Sequence, residues 1–292
     1  MRINTADVKT KNKNVSELIN KYLRPEHLPQ LWCAGCGNGI IMRDVCQAIE
    51  NLGLSRNDTI IVSGIGCSSR AATYMDFNTI HTTHGRAIAF ATGIKLANPK
   101  LNVIVIAGDG DIAAIGGNHL IHAARRNIGL TVVVMNNSVY GMTGGQYSPT
   151  SGQGTYGTTA PYGNLERAFD IASLAYGAGA SYAARGSAYH VQQTISLIQE
   201  GIRHKGFSII DVASTCPTYY GTKNKSGDAV DMLKWQKDNA VTVEKAATMT
   251  PEQLKGKLVI GLLRQTEYKE FTFAYEELIH RLYEEKEHRE AK

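Results

Sequence analysis

Cys33 and Cys36 form a C-x-x-C pair in the stretch WCAGCG, and single cysteines follow at Cys67, in GIGCSS, and at Cys216, in STCP. Four thiolates drawn from three loops can surround one 4Fe–4S cluster or a tetrahedral zinc ion. Structural zinc sites usually use two local pairs. Here one pair is split between distant segments, which favours a cluster held within the fold. Cys46 differs: it lies four residues after Met42 and three before Ile49, on the flank of an apolar helical stripe, and reads as a core cysteine.

A second constellation carries hard oxygen donors. Gly108-Asp109-Gly110-Asp111 follows the apolar run 102–107, and Asn136-Asn137 follows the run 131–135. An Asp109 carboxylate oxygen, an Asn137 amide oxygen, two phosphate oxygens and a backbone carbonyl would help complete an octahedron around Mg²⁺. The glycines let the backbone approach phosphates, and the helix that follows directs its N–H groups at them. GDG alone would fit an ordinary capped turn. GDG with NN at the next strand end is the signature of thiamine diphosphate. A dinucleotide site fits less well. GIGCSS puts Ser69, and GDGDIA puts Ala113, where the third glycine belongs; alanine is tolerated there. Asp109 and Asp111 would then face a pyrophosphate with like charge, no acidic residue near position 130 would hold a ribose, and no Walker lysine is present.

These residues must be positioned by strands and helices. Ile40–Leu52, 85–97, 117–128, 164–175 and 187–203 read as helices, while 59–63, 102–108, 131–135 and 207–213 read as short buried strands. Continuous apolar strands alternating with helices predict an α/β fold, a mostly parallel sheet with helices on both faces. The ligand crevice of such a sheet lies beyond the carboxyl ends of its strands. All four predicted strand ends carry residues able to bind metal or phosphate, so one shared site is expected, with Cys67 beside the diphosphate. That proximity suggests that electrons leave a thiamine centre through iron. We divide the chain into an N-terminal segment (1–28), a thiamine diphosphate-binding domain with the cysteine loops (29–222) and a C-terminal extension (223–292) packed on a partner. That extension holds a polar helix near 227–238, the apolar run 258–263 and a charged terminal helix.

Composition narrows the function. The formal charge is +5 with the basic residues scattered, so no nucleic-acid footprint is present. No apolar stretch approaches the roughly 20 residues that cross a bilayer. The first residues lack an apolar core followed by a small-residue cleavage site, and the five cysteines are an odd number. Reduced thiols and a cytoplasmic location are expected.

Taken in order, WCAGCGNG, GIGCSS, HTTHGRAIAFATGIKLANP, GDGD, NN and GMTGGQYSPT resemble the β subunit of 2-oxoacid:ferredoxin oxidoreductases over about residues 29–222, most of all the enzymes acting on 2-oxoglutarate. The resemblance implies that Mg²⁺ is held by Asp109, Asn137 and the carbonyl of Val139. It implies a 4Fe–4S cluster on Cys33, Cys36, Cys67 and Cys216. Gly66, Cys67, Ser68, Gly108, Gly110 and Asp111 would line thiamine diphosphate. The implied reaction converts a 2-oxo acid, coenzyme A and oxidised ferredoxin to acyl-CoA, CO₂ and reduced ferredoxin, and it can run in reverse as reductive carboxylation. The glutamate that hydrogen-bonds the aminopyrimidine belongs to the α subunit, so the chain is expected to be inactive alone and to work in an α2β2 heterotetramer. Some relatives carry a lysine within the stretch GMTGGQ, where this chain has Gly144. A branched-chain 2-oxo acid or pyruvate therefore stands beside 2-oxoglutarate as substrate. Two other readings are a non-redox thiamine-dependent decarboxylase with a structural zinc, and a non-catalytic assembly subunit.

The histidines divide in two. In HTTHGR (81–86), His84 or Arg86 is placed to reach cofactor or substrate, whereas His119 and His122, three apart on one helix, read as packed core histidines.

Overall fold

The computed structural model describes residues 15–290; the first fourteen residues of the predicted N-terminal segment and the last two of the chain lie outside them. The framework is an eight-stranded sheet. Its strands are β1 (Thr59–Ser63), β2 (Asn78–His81), β3 (Asn102–Gly108), β4 (Thr131–Asn136), β7 (Tyr182–Ser187), β8 (Ser208–Ala213), β9 (Ala240–Thr242) and β10 (Leu258–Gln265). They lie in the order β2-β1-β3-β4-β8-β7-β10-β9, and β5 (Val139–Tyr140) and β6 (Gln146–Tyr147) form a separate hairpin. Every neighbouring pair in the large sheet is parallel except β10 against β7.

Both faces are covered, which is why the central strands are apolar on both sides. On one face, helices Asn38–Leu52 and Val191–Arg203 pack Ile41, Val45, Ile49, Ile195 and Ile198 against Ile104, Ile106, Val133 and Ile210 of the strands. On the other, helices Ala87–Ala97, Gly117–Arg126 and Ile171–Gly177 bury Ala91, Leu120, Ala124 and Ile171 against Val105, Val132, Val134 and Ile209. Cys46 is 2% exposed within the first of these cores, as its place on the stripe predicts.

The expected strands at 59–63, 102–108, 131–135 and 207–213 are present within a residue or so. The helix expected over 164–175 begins only at Ile171, because Asp170 caps it by accepting a hydrogen bond from the Ser173 N–H at 2.9 Å; residues 164–170 are loop. The helix expected from 187 begins at Val191, because residues 182–187 form β7. The segment beyond 222 continues the same sheet: β10 pairs with β7 and carries β9 beside it. What projects is the helix Phe271–Glu290, of which only Thr272 is buried. No helix among the described residues is long and apolar enough to cross a membrane.

Candidate cofactor and metal site

The turns after β1, β3, β4 and β8 meet at one edge of the sheet, and they are joined there by the Cys33–Cys36 loop before helix Asn38–Leu52 and by His84 beyond β2. After β3, the chain passes through Gly108, Asp109 and Gly110 into a π-helical turn, Asp111–Ile115, and then into helix Gly117–Arg126. Such turns frequently mark functional sites. Asp109 is 2% exposed. Its Oδ2 accepts a hydrogen bond from the Thr150 hydroxyl at 2.7 Å. Burial raises its pKa, and the hydroxyls of Ser148 and Thr150 offset only part of that. Its partners are hydroxyls and backbone rather than a cation, an environment in which a bound cation would offset the cost of burying the charge.

Asn137 sits on the adjacent turn. Its Oδ1 accepts from the Val139 N–H at 3.2 Å, closing an Asx turn that fixes the Asn137–Val139 loop. Ser138, between them, adopts φ 56°, and its carbonyl accepts from the Ser151 hydroxyl at 2.7 Å. Asp109, Asn137 and Val139 thus come from the two neighbouring strand ends, β3 and β4, with loop 148–151 tied to both.

The turn after β1 brings Gly66 (φ 118°), Cys67 and Ser68 to the same place. Ser68 Oγ lies so close to Gly108 that a β-carbon at residue 108 would be 2.8 Å away, which puts the hydroxyl beside the diphosphate-type turn. The Gly110 carbonyl faces the Tyr140 hydroxyl at 3.4 Å. Asp111 Oδ1 accepts from the Gly85 N–H at 2.5 Å and lies 2.6 Å from His84 Nδ1. His84 therefore belongs to the site, with its ring edge-on to Tyr140 at 6.2 Å. Burial raises the Asp111 pKa, and the Gly85 N–H and His84 counter it.

Cys33, Cys36, Cys67 and Cys216 are all free thiols. The Cys33–Cys36 loop is locked to the turn before Cys216: Gly37 N–H donates to the Thr215 carbonyl at 3.1 Å, Thr215 Oγ1 to the Gly35 carbonyl at 3.0 Å, and Ser214 Oγ to Asn38 Oδ1 at 2.8 Å. The Trp32 indole N–H donates to the Cys67 carbonyl at 2.6 Å, tying the third loop in. A β-carbon at Gly141 would sit 3.4 Å from Cys67 Sγ and 3.8 Å from Cys216 Sγ. Burial pushes the Cys36 thiol up to about 12, with the neighbouring Cys216, Cys67 and Cys33 adding to the shift. Burial likewise raises Cys67 and Cys216, the latter against the pull of the Tyr219 and Tyr220 N–H groups on its sulfur. Four cysteines gathered from three loops suit an iron cluster, which takes its ligands as thiolates. No group of three or more His, Cys, Asp or Glu among the described residues is placed to hold one metal ion. A cubane spreads its cysteines over four corners, whereas a single zinc draws each sulfur to about 2.3 Å.

Several predicted roles change. His119 and His122 are not core histidines: the helix buries Leu120, Ala123 and Ala124, leaving His119 half-buried and His122 exposed. His81 contacts Thr73 Oγ1 at 3.0 Å. The Arg86 guanidinium donates to the Ile115 carbonyl at 3.2 Å, bracing the π turn from outside.

Sequence reasoning missed a polar row behind the residues expected to hold the metal. Asn136 Nδ2 donates to Asp211 Oδ1 at 3.0 Å, and Arg185 Nε donates to Asp211 Oδ2 at 3.2 Å. Arg185 also pairs with Asp170. A lone aspartate inside the apolar strand FSIIDVA was the signal, since a buried charge implies a partner. These residues wall a cavity of about 800 Å³ that also includes Phe169, Tyr220 and Trp235.

The thiamine pyrophosphate enzyme family, in its C-terminal TPP-binding domain, matches residues 64–212. The chain is 56% identical over 241 residues to the 2-oxoglutarate synthase subunit KorB of Methanothermobacter marburgensis, covering 82% of this chain and 85% of the relative. It is 51% identical over 262 residues to the subunit of the same name from Methanocaldococcus jannaschii, covering 90% and 97%. Its fold superposes on a chain of the 2-oxoglutarate:ferredoxin oxidoreductase from Magnetococcus marinus, solved with 2-oxoglutarate, coenzyme A and succinyl-CoA bound. There the TM-score is 0.81 and the identity 33%, over 94% of this chain and 92% of that one.

Proposed function

The chain belongs to the KorB family of 2-oxoglutarate synthase subunits and carries a thiamine pyrophosphate-binding domain, and from that premise we propose that it is the β subunit of a 2-oxoglutarate:ferredoxin oxidoreductase. In this reading it binds thiamine diphosphate through Mg²⁺ and holds one 4Fe–4S cluster. With an α partner it converts 2-oxoglutarate and coenzyme A to succinyl-CoA and CO₂, passing the electrons to ferredoxin, and the same steps run in reverse as reductive carboxylation.

The observation that carries the proposal is that both metal sites share one loop. Asn137 and Val139 lie on the oxygen-donor side, and two residues later a β-carbon at Gly141 would come within 3.4 and 3.8 Å of the Cys67 and Cys216 sulfurs. When bound, thiamine diphosphate supplies the electron sink for decarboxylation and the cluster supplies the one-electron acceptor. The chain's own residues do the rest. Asp109, Asn137 and the Val139 carbonyl hold the metal, and Ser68 with the backbone of Gly66, Cys67, Gly108 and Gly110 lines the diphosphate. Asp111 keeps His84 oriented with Nδ1 inward, leaving Nε2 to face cofactor or substrate.

Ile65, Ile115 and Met142 are 49%, 51% and 43% exposed around the same edge. An apolar rim beside a polar site supports an α subunit closing over it, and that subunit would bring the aminopyrimidine glutamate. Tyr275, Leu278 and Leu282 on helix Phe271–Glu290 are exposed too, which supports the C-terminal helix packing on a partner in an α2β2 assembly. Gly144 has φ 113°, a conformation side chains rarely adopt. The loop is therefore shaped for glycine, and recognition of a distal substrate carboxylate falls to other residues.

The test is anaerobic purification with the α partner, followed by reduction of a low-potential dye with 2-oxoglutarate, branched-chain 2-oxo acids or pyruvate, each with coenzyme A. Four irons per chain and turnover on 2-oxoglutarate would support the whole reading. Turnover on another 2-oxo acid alone would keep the family and move the substrate. Zinc in place of iron would leave only the thiamine site.

A further inference from the structure

We propose that Thr150 is the residue that positions the Asp109 carboxylate for its metal, and that a row of side chains running from Arg185 through Asp211 fixes the Asn136 oxygen that competes for its hydroxyl proton. The inference rests on the proposed metal role of Asp109 and goes beyond it to residues that would touch neither metal nor cofactor.

Thr150 is 7% exposed, and its Oγ1 lies 2.7 Å from Asp109 Oδ2 and 2.9 Å from Asn136 Oδ1. A hydroxyl carries one proton and can donate to one of them. Both contacts are to oxygens only if the Asn136 amide is held one way round. That orientation is enforced: its Nδ2 donates to Asp211 Oδ1 at 3.0 Å, and its Oδ1 accepts from the Ser138 N–H at 3.3 Å. Turned over, the amide would set oxygen against the Asp211 carboxylate and nitrogen against the Ser138 N–H.

Asp211 is itself fixed. It is 4% exposed, its second oxygen accepts from Arg185 Nε at 3.2 Å, and Arg185 is held from the other side by Asp170. The row crosses β7, β8 and β4 in their order in the sheet and ends on Asp109 beyond β3. Asn136 is covalently next to Asn137, so one set of hydrogen bonds governs both proposed side-chain ligands. The Ser148 hydroxyl also bonds the Asp109 carboxylate and lies 3.1 Å from Thr150 Oγ1, so the two hydroxyls face that carboxylate together. When the Thr150 proton goes to Asp109 Oδ2 it holds the carboxylate plane, and the row fixes the Asn136 oxygen as the competing acceptor 2.9 Å away.

The experiment uses the assembled α and β subunits stripped of thiamine diphosphate and metal, with Mg²⁺ binding in the presence of thiamine diphosphate measured by calorimetry. Replacing a partner that hydrogen-bonds a metal ligand typically costs about 10–100-fold in affinity. Thr150→Val should weaken Mg²⁺ binding on that scale while iron content stays at wild type, and Thr150→Ser should restore it. Asp211→Asn, which lets the Asn136 amide turn over and offer its N–H to Thr150, should tighten it, and the double variant should bind no differently from Thr150→Val alone, because the row acts through that hydroxyl. Wild-type affinity in Thr150→Val overturns the proposal, as does a Thr150→Ser protein as weak as the valine variant. Effects that multiply in the double variant overturn the row. Should Thr150→Val fail to assemble, the serine and Asp211→Asn variants decide, with wild-type or weaker affinity in Asp211→Asn counting against it. Asp109→Ala separates the two levels: if it binds Mg²⁺ normally, the metal assignment itself is wrong.

Discussion

The Asp111 carboxylate fills the space in which a side chain at Gly64 would lie: a β-carbon there would be 1.9 Å from Asp111 Oδ2. The two residues come from different strand ends, β1 and β3, and their contact seats the GIGCSS turn on the GDGD turn. The Gly85 N–H binds the same carboxylate at 2.5 Å. Asp111 is thus a hub at which three loops converge, and the first glycine of GIGCSS is required by packing as well as by the turn.

Gly64→Ala should therefore drive the Asp111 side chain out of place and release both His84 and Gly85. Overpacking of this kind costs about 1–3 kcal/mol, and thiamine diphosphate affinity should fall with it. A fluorescence titration of the cofactor alongside a thermal scan checks both, and an unchanged Tm would show that the turn absorbs the methyl group.

Asp109→Ala should abolish Mg²⁺-dependent thiamine diphosphate binding, a larger loss than the roughly 10–100-fold expected from altering a residue behind the ligand. Iron content should hold, since the cysteine loops are tied together by Trp32, Ser214 and Thr215. Cofactor titration and iron analysis on one preparation distinguish this from general misfolding.

The elements and the chemistry differed in how far they could be read from the chain. TIIVS and NVIVIAG announce themselves because both faces of these strands are buried, so every position is apolar. β7 carries Ala183, Ala184, Arg185 and Gly186, poor strand formers in isolation. It is a strand because β8 and β10 supply ladder partners on both sides. Asp109 and Asn137 could be singled out as candidates because their residue types at successive strand ends suit a metal, and the fold brings those two strand ends together. The row from Arg185 to Thr150 could not, since its members are scattered over 136–211 and meet only when β4, β8 and β7 lie side by side. The late start of helix Ile171–Gly177 was legible in principle, because Asp170 with Ser173 three residues on is an N-cap pattern.

Cysteine substitutions should separate the two kinds of thiol. Cys46 is 2% exposed in the core, and burial pushes its thiol up to about 12. Cys46→Ala should keep full iron and cost about 1 kcal/mol, the scale of deleting one buried group. Cys216→Ala should lose the cluster. Iron loss in the Cys46 variant would place that residue among the ligands.

Asp44 sets a pH dependence of stability. It is wholly buried, with Arg43 Nη1 3.2 Å from its Oδ1, and burial outweighs that cation to push its pKa up to about 7. In the unfolded chain the value is near 3.9. Below the unfolded value the carboxyl is neutral in both states and its contribution is fully favourable. As pH rises toward about 7 the unfolded chain releases the proton and the fold retains it, so stability falls; above the folded value the loss is complete. A shift of this size corresponds to a few kcal/mol, on the order of 4. Asp44→Asn removes the titrating group, so its Tm relative to wild type should rise from about pH 4 to pH 7 and then level off. Thermal scans of both proteins across that range check it, and a constant Tm difference would mean that Asp44 ionises normally beside Arg43.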